Sequence, residues 1–256
     1  MTTDAIRLYD AFSAGYDQAF DTDSVRAGYE QIGWELLRDI LPTAPGLIVD
    51  AGCGTGRGVA RLRDLGHRVI GVEPASGMQD LLRRRFAGDA GVQLLEYGFE
   101  DAPVAAGCAD AVVANGSLQY AADPASALAV LARWARPGGL VCVQVDGLVN
   151  VVLELIRQGR VDEAIERGRD GWGAYTWGGT SARVRLFDRV SLTDAMAAAG
   201  LVRVEVRGLL VSTAGISRPD VADRLAAGGI DVERSLTACS AIADAGKHLI
   251  AWGWRA

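Results

Sequence analysis

The sequence predicts an α/β protein in which helices cover both faces of a mostly parallel sheet. From Leu47 to Val145, short runs that are apolar almost throughout alternate with segments in which apolar residues recur at helical spacing. Strands buried on both faces lack the alternation of a half-exposed strand, and a helix between two strands makes them parallel. The chain has 256 residues, 50% of them hydrophobic, which is enough to bury the core of one large domain.

The predicted elements follow in a regular order. A helical segment spans about 4–41 and is ended by Pro42 and Pro45. Strands are predicted at 47–49, 68–72, 92–97, 111–114, 140–145, 201–210 and 248–254, with helices ending near 65 and spanning about 77–86, 124–135 and 191–199. A segment with two helical stretches and many glycine and aromatic residues interrupts this rhythm after the fifth strand. We therefore expect one domain with a helical cap (1–45), a cofactor-binding core (46–146), a lid insertion (147–190) and a C-terminal part of the sheet (191–256).

Charge and composition disfavour several classes of partner. The formal net charge is −6 and the sequence pI is about 5.0, so no general attraction to nucleic acids or anionic membranes is expected. The one basic run, 83–85, is typical of the C-terminal end of a helix. No signal sequence and no apolar run of membrane-spanning length is recognised, which predicts a soluble, cytoplasmic protein.

Cysteine and histidine usage indicates reduced thiols and no metal centre. None of the four cysteines forms a C-x-x-C pair, and the chain contains only two histidines. The cysteines are Cys53, Cys108, Cys142 and Cys239.

A glycine-rich segment lies between the first predicted strand and the following helix. Residues 47–56 read Leu-Ile-Val-Asp-Ala-Gly-Cys-Gly-Thr-Gly, and Glu73 ends the second strand about twenty residues later. Glycines at this place let the backbone approach a ligand closely, and a carboxylate on the neighbouring strand can accept both hydroxyls of a ribose. A dinucleotide loop needs glycine at 57 or a small residue at 59, where this chain has Arg57 and Val59. The spacing therefore disfavours a nicotinamide cofactor.

Further motifs accompany the loop in a fixed order. They are Val-Ile-Gly-Val-Glu-Pro at 69–74 followed by Met78, Phe-Glu-Asp-Ala-Pro at 99–103, Ala-Val-Val-Ala-Asn-Gly-Ser-Leu-Gln-Tyr at 111–120, and Arg-Pro-Gly-Gly at 136–139. With these motifs, residues 47–146 resemble the class I S-adenosylmethionine-dependent methyltransferases. Residues 9–17, Tyr-Asp-Ala-Phe-Ser-Ala-Gly-Tyr-Asp, are similar to the N-terminal cap of many small-molecule members.

The resemblance implies a Rossmann-like seven-stranded sheet with an antiparallel last strand, S-adenosylmethionine as cofactor and S-adenosylhomocysteine as product. The glycine loop would receive the methionyl end, and Asp50 would order that loop or its waters. Glu73 would bind the ribose, and Asn115 would lie near the sulfonium. The predicted cofactor contacts are Tyr16, Asp50, Ala51, Gly52, Cys53, Gly54, Gly56, Glu73, Pro74, Met78, Phe99, Glu100, Asn115 and Gly116.

One position departs from the family pattern. Members often carry Asp where this chain has Gly98, and that Asp binds the adenine amine. The adenine would instead be held by the backbone of Phe99 or Glu100, or by the Glu100 side chain.

The two histidines are the first candidates for a general base. His67 lies in the turn before the second strand, away from the ligand edge, and is predicted to be structural or exposed. His248 opens the last strand, and an antiparallel last strand begins at the ligand edge. His248 is therefore predicted as a catalytic base or substrate contact, the alternative being a local hydrogen bond.

Aromatic residues are the candidates for binding the methyl acceptor. Tyr9 and Tyr120 are predicted substrate contacts, with packing as the alternative. In the insertion, Trp172, Tyr175 and Trp177 would line an acceptor pocket under a glycine-hinged lid, or form a small core of their own. The connection at 212–246 would complete the same cap.

The predicted activity is transfer of a methyl group to an O, N or C atom of a small molecule, such as a bulky natural product. The alternative is a protein of this fold that uses the cofactor for a cyclisation or isomerisation, or that serves as a binding subunit. Nucleic-acid methylation is disfavoured by the acidic balance and by the sequence Asn-Gly-Ser-Leu at 115–118 in place of an Asn-Pro-Pro-Tyr type of motif.

Overall fold

The structure, a computed structural model, describes residues 1–213 and 229–256. Its main sheet has seven strands in the order β3-β2-β1-β4-β5-β9-β8. β1 to β5 pair in parallel, whereas β9 pairs antiparallel with both β5 and β8. The strands are β1 (Leu47–Ala51), β2 (Arg68–Val72), β3 (Val92–Leu95), β4 (Ala109–Asn115), β5 (Ala135–Asp146), β8 (Leu201–Leu209) and β9 (His248–Arg255), and β6 (Trp172–Trp177) pairs with β7 (Thr180–Arg185) in a separate hairpin.

Helices cover both faces of the sheet, so the predicted fold class is confirmed. Neighbouring residues of one strand enter different core clusters: Ile48 packs with residues of α3 and α4, and Val49 packs with residues of α6 and α9. Burial on both faces explains why the strands are apolar almost throughout. The helices are α1 (Thr3–Phe12), α2 (Tyr16–Thr22), α3 (Ser24–Ile40), α4 (Arg57–Asp64), α5 (Ser76–Arg85), α6 (Pro124–Trp134), α7 (Leu148–Arg157), α8 (Val161–Asp170), α9 (Arg189–Ala198) and α10 (Ile230–Thr237).

The predicted N-terminal helical segment consists of three helices. A 3₁₀ turn, Ser13–Gly15, separates α1 from α2, and extended backbone at Asp23 separates α2 from α3. The Ser13 hydroxyl donates to the Asp10 carbonyl at 2.8 Å, a local bond that competes with the helix ladder. These bends let the segment fold over the carboxyl edge of the sheet.

The Arg-Pro-Gly-Gly motif at 136–139, which precedes the predicted fifth strand, lies within β5. Gly138 has φ +71°, and the pairing of β4 with β5 shifts register between Ala109 and Ala111. The backbone packs so closely there that a Cβ on Gly139 would lie 2.8 Å from the Arg136 carbonyl oxygen. The segment therefore forms an irregular start to the strand, as a bulge does.

The glycine and aromatic segment of the insertion forms a β-hairpin. Trp172 pairs with Arg185 and Trp177 with Thr180, and the turn is Gly178-Gly179 with φ +55° and +81°. Two consecutive positive φ values fit a two-residue hairpin turn, which glycine adopts without strain. The hairpin was not predicted, although two glycines between β-prone runs are its usual signal.

Other sequence expectations have structural counterparts in the described residues. The four cysteines are free, the basic run 83–85 occupies the last turn of α5, and His67 is buried and accepts a hydrogen bond from the Gly46 amide at 3.2 Å. Within 1–213 and 229–256, no helix combines the length and apolarity needed to cross a bilayer. The expected cap connection 212–246 lies partly outside the described residues.

Two glycines let the chain before β9 lie directly on β8. A Cβ on Gly208 would lie 2.5 Å from the Ala243 carbonyl oxygen, and a Cβ on Gly246 would lie 2.6 Å from that of His248. Backbone atoms cannot yield as a flexible side chain can, so only glycine fits at both positions. This contact fixes the start of β9, where His248 is located.

We predict that Gly208→Ala lowers the free energy of unfolding by about 1–3 kcal/mol, because the added methyl group overpacks two backbones. Gly15→Ala is the control, since no atom lies within 4 Å of its Cβ position and its φ is −112°. Urea unfolding of both variants checks the prediction. An equal loss in the two variants would contradict it.

Candidate active site

A cavity of about 380 Å³ opens at the carboxyl edge of the sheet. The N-terminal helices α1 to α3 form one wall, and the ends of β1, β4 and β5 with the start of β9 form the other. Parallel strands present their following loops at one edge, which is the usual ligand site of an open α/β sheet. The hairpin of the insertion adds Tyr175, and α7 adds Glu154.

The glycine loop after β1 borders this cavity, and its three glycines are required for different reasons. Gly54 has φ +56° with no atom within 4 Å of its Cβ position, so its backbone faces open space. A Cβ on Gly52 would lie 2.3 Å from the Ser117 Cβ, and one on Gly56 would lie 2.5 Å from a ring carbon of Phe86. Gly54 therefore gives a ligand close access to the backbone, while the other two allow the loop to pack against its neighbours.

Asp50 is a buried carboxylate that lines the cavity. Its side chain is 5% exposed, and no described residue donates a hydrogen bond to it. Burial, with a smaller contribution from the negative charge of Glu73, raises the pKa of Asp50 to about 7. A buried acceptor without a donor is costly unless a ligand supplies one.

Glu73 follows β2 and is held by backbone donors. Gly54 and Ala75 each donate an amide hydrogen bond of 2.9 Å to a different carboxylate oxygen. Burial nevertheless raises the pKa of Glu73 to about 7, and these two bonds oppose the shift. The two carboxylates thus give this edge of the sheet an affinity for a cationic ligand.

His248 and Asp146 form a hydrogen-bonded pair on the opposite side of the cavity. They are register partners at the junction of β9 and β5, and His248 Nδ1 lies 2.8 Å from Asp146 Oδ1. The Tyr29 ring packs on the imidazole at a centroid distance of 4.2 Å. Because an ionised carboxylate can only accept, this contact favours the proton on Nδ1 and leaves Nε2 as an acceptor.

The tyrosines around the cavity are not bases at neutral pH. Burial raises the pKa of Tyr9, Tyr16, Tyr29 and Tyr120 well above the usual value. Tyr9 packs edge-on against Tyr120 with centroids 5.3 Å apart, so the phenols act as an aromatic wall. Of the side chains predicted for acid–base chemistry, His248 is the one with suitable surroundings.

Comparison with known proteins assigns the family. Residues 49–143 match the family model described as a methyltransferase domain. Over these residues the chain is a class I S-adenosylmethionine-dependent methyltransferase domain. Its cofactor is S-adenosylmethionine.

Three relatives illustrate the range of the family. A demethylmenaquinone methyltransferase from Clavibacter sepedonicus is 29% identical over 216 residues, which cover 82% of this chain and 85% of that protein. A tRNA U34 carboxymethyltransferase from Trichlorobacter lovleyi is 34% identical over 115 residues, which cover 43% of this chain and only 36% of that protein. The structure of Burkholderia thailandensis 1,6-didemethyltoxoflavin-N1-methyltransferase with 1,6-didemethyltoxoflavin and S-adenosylhomocysteine has a TM-score of 0.57, with 16% identity and coverage of 98% and 88%.

The residues of this methyltransferase fit the methionyl part of the cofactor. S-adenosylmethionine carries an ammonium and a sulfonium, and Asp50 offers a buried carboxylate without a donor at the glycine loop. Seven of the predicted cofactor contacts border the cavity: Tyr16, Asp50, Gly52, Cys53, Gly54, Asn115 and Gly116. The other seven lie outside its lining: Ala51, Gly56, Glu73, Pro74, Met78, Phe99 and Glu100.

Met1 approaches two of the residues predicted to bind the cofactor. Its amino group donates to the Glu100 carboxylate, and its Cε is 3.8 Å from the Cβ position of Gly52. Met78 and Phe99 are fully buried in the core. Adenosine binding at Glu100, as the resemblance implies, would therefore compete with the contact that the Met1 amino group makes there.

The predicted acceptor contacts are only partly brought together. Tyr9, Tyr120 and Tyr175 line the cavity, whereas Trp172 and Trp177 do not. The Arg183 guanidinium covers the Trp172 ring at 3.9 Å, and Trp177 packs on Phe12 at 4.2 Å. The two tryptophans hold the hairpin and fasten it to α1.

Several cavity residues were not predicted from the sequence. Asp146 was identified only as the end of a strand, although antiparallel pairing of β5 with β9 places it opposite His248. Gln119 is 4% exposed, and its Oε1 accepts no hydrogen bond in the part of the chain that the structure describes. Tyr29 and Lys247 also line the cavity, and only tertiary structure brings them there.

We predict that affinity for S-adenosylmethionine rises between pH 6 and pH 8. The positive charge of the cofactor favours ionised Asp50 at the cavity wall and ionised Glu73 nearby. Burial raises the pKa of both carboxyl groups to about 7, so below pH 7 binding must release protons. Each such proton makes affinity up to about tenfold weaker per pH unit below the pKa. Calorimetry in two buffers of different ionisation enthalpy measures the protons released.

Asp50→Asn is the matched variant, since it keeps the shape and removes one titrating group. It should bind more weakly, by about 1–3 kcal/mol at pH 8, and release fewer protons at pH 6. Equal proton release by the wild type and the variant would show that Asp50 does not take part.

Proposed function

We propose that this methyltransferase acts on an oxygen, nitrogen or carbon atom of a bulky small molecule held in the cavity. The observation that carries the proposal is the His248–Asp146 pair, which faces the same cavity as the glycine loop and Asp50. The cofactor-binding edge and a candidate base thus line the same cavity. Methyl transfer to an ionisable acceptor requires both groups to lie close to it.

The proposed roles of the residues follow from their contacts. Bound cofactor supplies an electrophilic methyl group. Asp50 and the backbone of Gly52 and Gly54 hold its methionyl end. His248 Nε2, which makes no hydrogen bond to the described residues, accepts the proton of an acceptor O–H or N–H group. Asp146 keeps the imidazole in this tautomer and stabilises the imidazolium that forms.

Enclosure of the cavity favours a small acceptor. The N-terminal cap meets the insertion above it, where Arg26 Nη2 donates to the Tyr175 hydroxyl at 3.2 Å and Phe12 packs on Trp177. A cavity covered in this way by the described residues suits a small acceptor better than a polynucleotide. The net charge of −6 also opposes binding to nucleic acid, and the tRNA-modifying relative matches only 43% of the chain.

The likeness to enzymes named for menaquinone and toxoflavin chemistry supports a metabolite or natural product as acceptor. Aromatic walls formed by Tyr9, Tyr16, Tyr29 and Tyr120 favour a planar, largely apolar body. We place the reaction in the cytoplasm. The alternative, a non-methylating reaction that uses the same cofactor, differs in its products.

We predict that incubation with S-adenosylmethionine and a library of planar phenols, enols and heterocyclic N–H compounds yields methylated product and S-adenosylhomocysteine in equal amounts, measured by mass spectrometry. Product without S-adenosylhomocysteine would favour the cyclase or isomerase alternative. Binding of cofactor with no product from any acceptor would favour a binding subunit.

For an O–H or N–H acceptor, His248→Asn and Asp146→Asn should each lower kcat by about 10²-fold or more at pH 7, because the base or its orientation is lost. His67→Asn is the matched control. His67, the other histidine, is buried just before β2, at the edge of the sheet away from the cavity. An unchanged kcat in both site variants would remove His248 from the mechanism.

A further inference from the structure

The chain contains a single lysine, and it borders the cavity. Of the 26 Lys and Arg residues, only Lys247 is a lysine. It directly precedes His248 at the start of β9, and its side chain is 17% exposed. The other 25 of these residues are arginines, so the lysine at 247 departs from the usage of the rest of the sequence.

Arginine and lysine bind anions differently. The arginines of this chain form two-point contacts with carboxylates: Arg63 contacts both oxygens of Asp89 at 2.9 Å, and Arg57 contacts both oxygens of Glu30 at 2.7 and 2.8 Å. An ammonium is a compact charge with three donors, which suits one anion in a confined space. Position 247 thus has the cation that fits beside a bound ligand.

The ammonium of Lys247 is only partly satisfied. Its one contact in residues 1–213 and 229–256 is Glu154 Oε2 of α7, at the long distance of 3.5 Å. Glu154 is itself 39% exposed, so this pair contributes little to stability. Two donors of a largely buried ammonium therefore have no acceptor among the described residues, and the Glu154 carboxylate shows which kind of group they attract.

We infer that Lys247 forms an anion subsite and that the methyl acceptor is a planar aromatic compound with a carboxylate near its nucleophilic atom. The inference rests on the proposed function. The aromatic wall would take the ring, Lys247 the carboxylate, and the adjacent His248 the proton of the nucleophilic O–H or N–H group. That proton passes to His248 Nε2 while the acceptor atom forms its bond to the methyl carbon and the carbon–sulfur bond breaks.

The other charges around this position are consistent with an anionic acceptor. Asp146 also lines the cavity, but its carboxylate is hydrogen-bonded to His248. Glu154 can swing away because it is partly exposed. Arg26 of α3, which also lines the cavity, lies among the rings of Phe12, Phe20 and Trp177. Lys247 is thus the cation placed beside the candidate base.

The test compares 1-hydroxy-2-naphthoate with 1-hydroxy-2-naphthamide, which share ring and hydroxyl and differ in charge. Both are titrated by calorimetry into the full-length protein saturated with S-adenosylhomocysteine. We expect the acid to bind the wild type about tenfold more tightly than the amide, as one charge-assisted hydrogen bond allows. Lys247→Met should remove this preference, and Lys247→Arg should restore only part of it.

Glu154→Gln separates a ligand subsite from a structural ion pair. It removes the carboxylate that competes for Lys247, so it should strengthen binding of the acid several-fold, opposite in direction to Lys247→Met. A purely structural pair would make both variants weaken binding alike. Equal affinities of the wild type for acid and amide, including no binding of either, would overturn the inference. Prior saturation with S-adenosylhomocysteine is measured separately, so failure of the cofactor site is distinguished from failure of the subsite.

Discussion

The antiparallel pairing of β9 with β5 is the contact on which the arrangement of this methyltransferase depends. Seven register pairs run from Leu140 with Trp254 to Asp146 with His248. Because β9 runs against β5, a residue at its start lies at the edge where β5 ends. A parallel last strand would put the histidine at the opposite edge, where His67 is found. The direction of one strand therefore decides whether the imidazole faces the ligand.

The same edge concentrates buried negative charge. Asp50 and Glu73 are each 5% exposed. The hydrogen bonds that Glu73 accepts from two backbone amides do not offset the rise in its pKa caused by burial. An isolated pair of this kind weakens the fold as pH rises, since the folded state holds protons that the unfolded chain gives up near its ordinary pKa. The arrangement is useful only if a cation arrives, because the cation then stabilises both carboxylates. The buried carboxylates thus lower the stability of the free protein and raise its affinity for a positively charged cofactor.

The sequence predicts the core well and the covering elements poorly, for physical reasons. β2 has its predicted bounds, and β1, β4 and β9 differ by a few residues at their ends, since strands buried on both faces carry a continuous apolar signal. The N-terminal cap divides into three helices because local bonds such as that of Ser13 interrupt a periodicity that continues through them. The hairpin of the insertion was missed because Trp172 and Trp177 are explained equally well by a pocket or by packing. Residues 214–228, within the predicted cap connection, lie outside the described residues.

Site residues divide in the same way. The glycine loop can be recognised from the sequence because it requires a fixed spacing of glycines, with positive φ at alternate positions. Asp146, Gln119 and Lys247 have no local signal, since each acquires its role from a partner or cavity formed by distant segments. Lys247 is the instructive case, because its rarity in the sequence carries meaning only once the cavity is known. In a chain that otherwise uses arginine, a compact ammonium next to the candidate base favours an acceptor that brings its own negative charge. The negative charge of such an acceptor would attract the positive charge of the cofactor bound in the same cavity. Each ligand would therefore strengthen binding of the other.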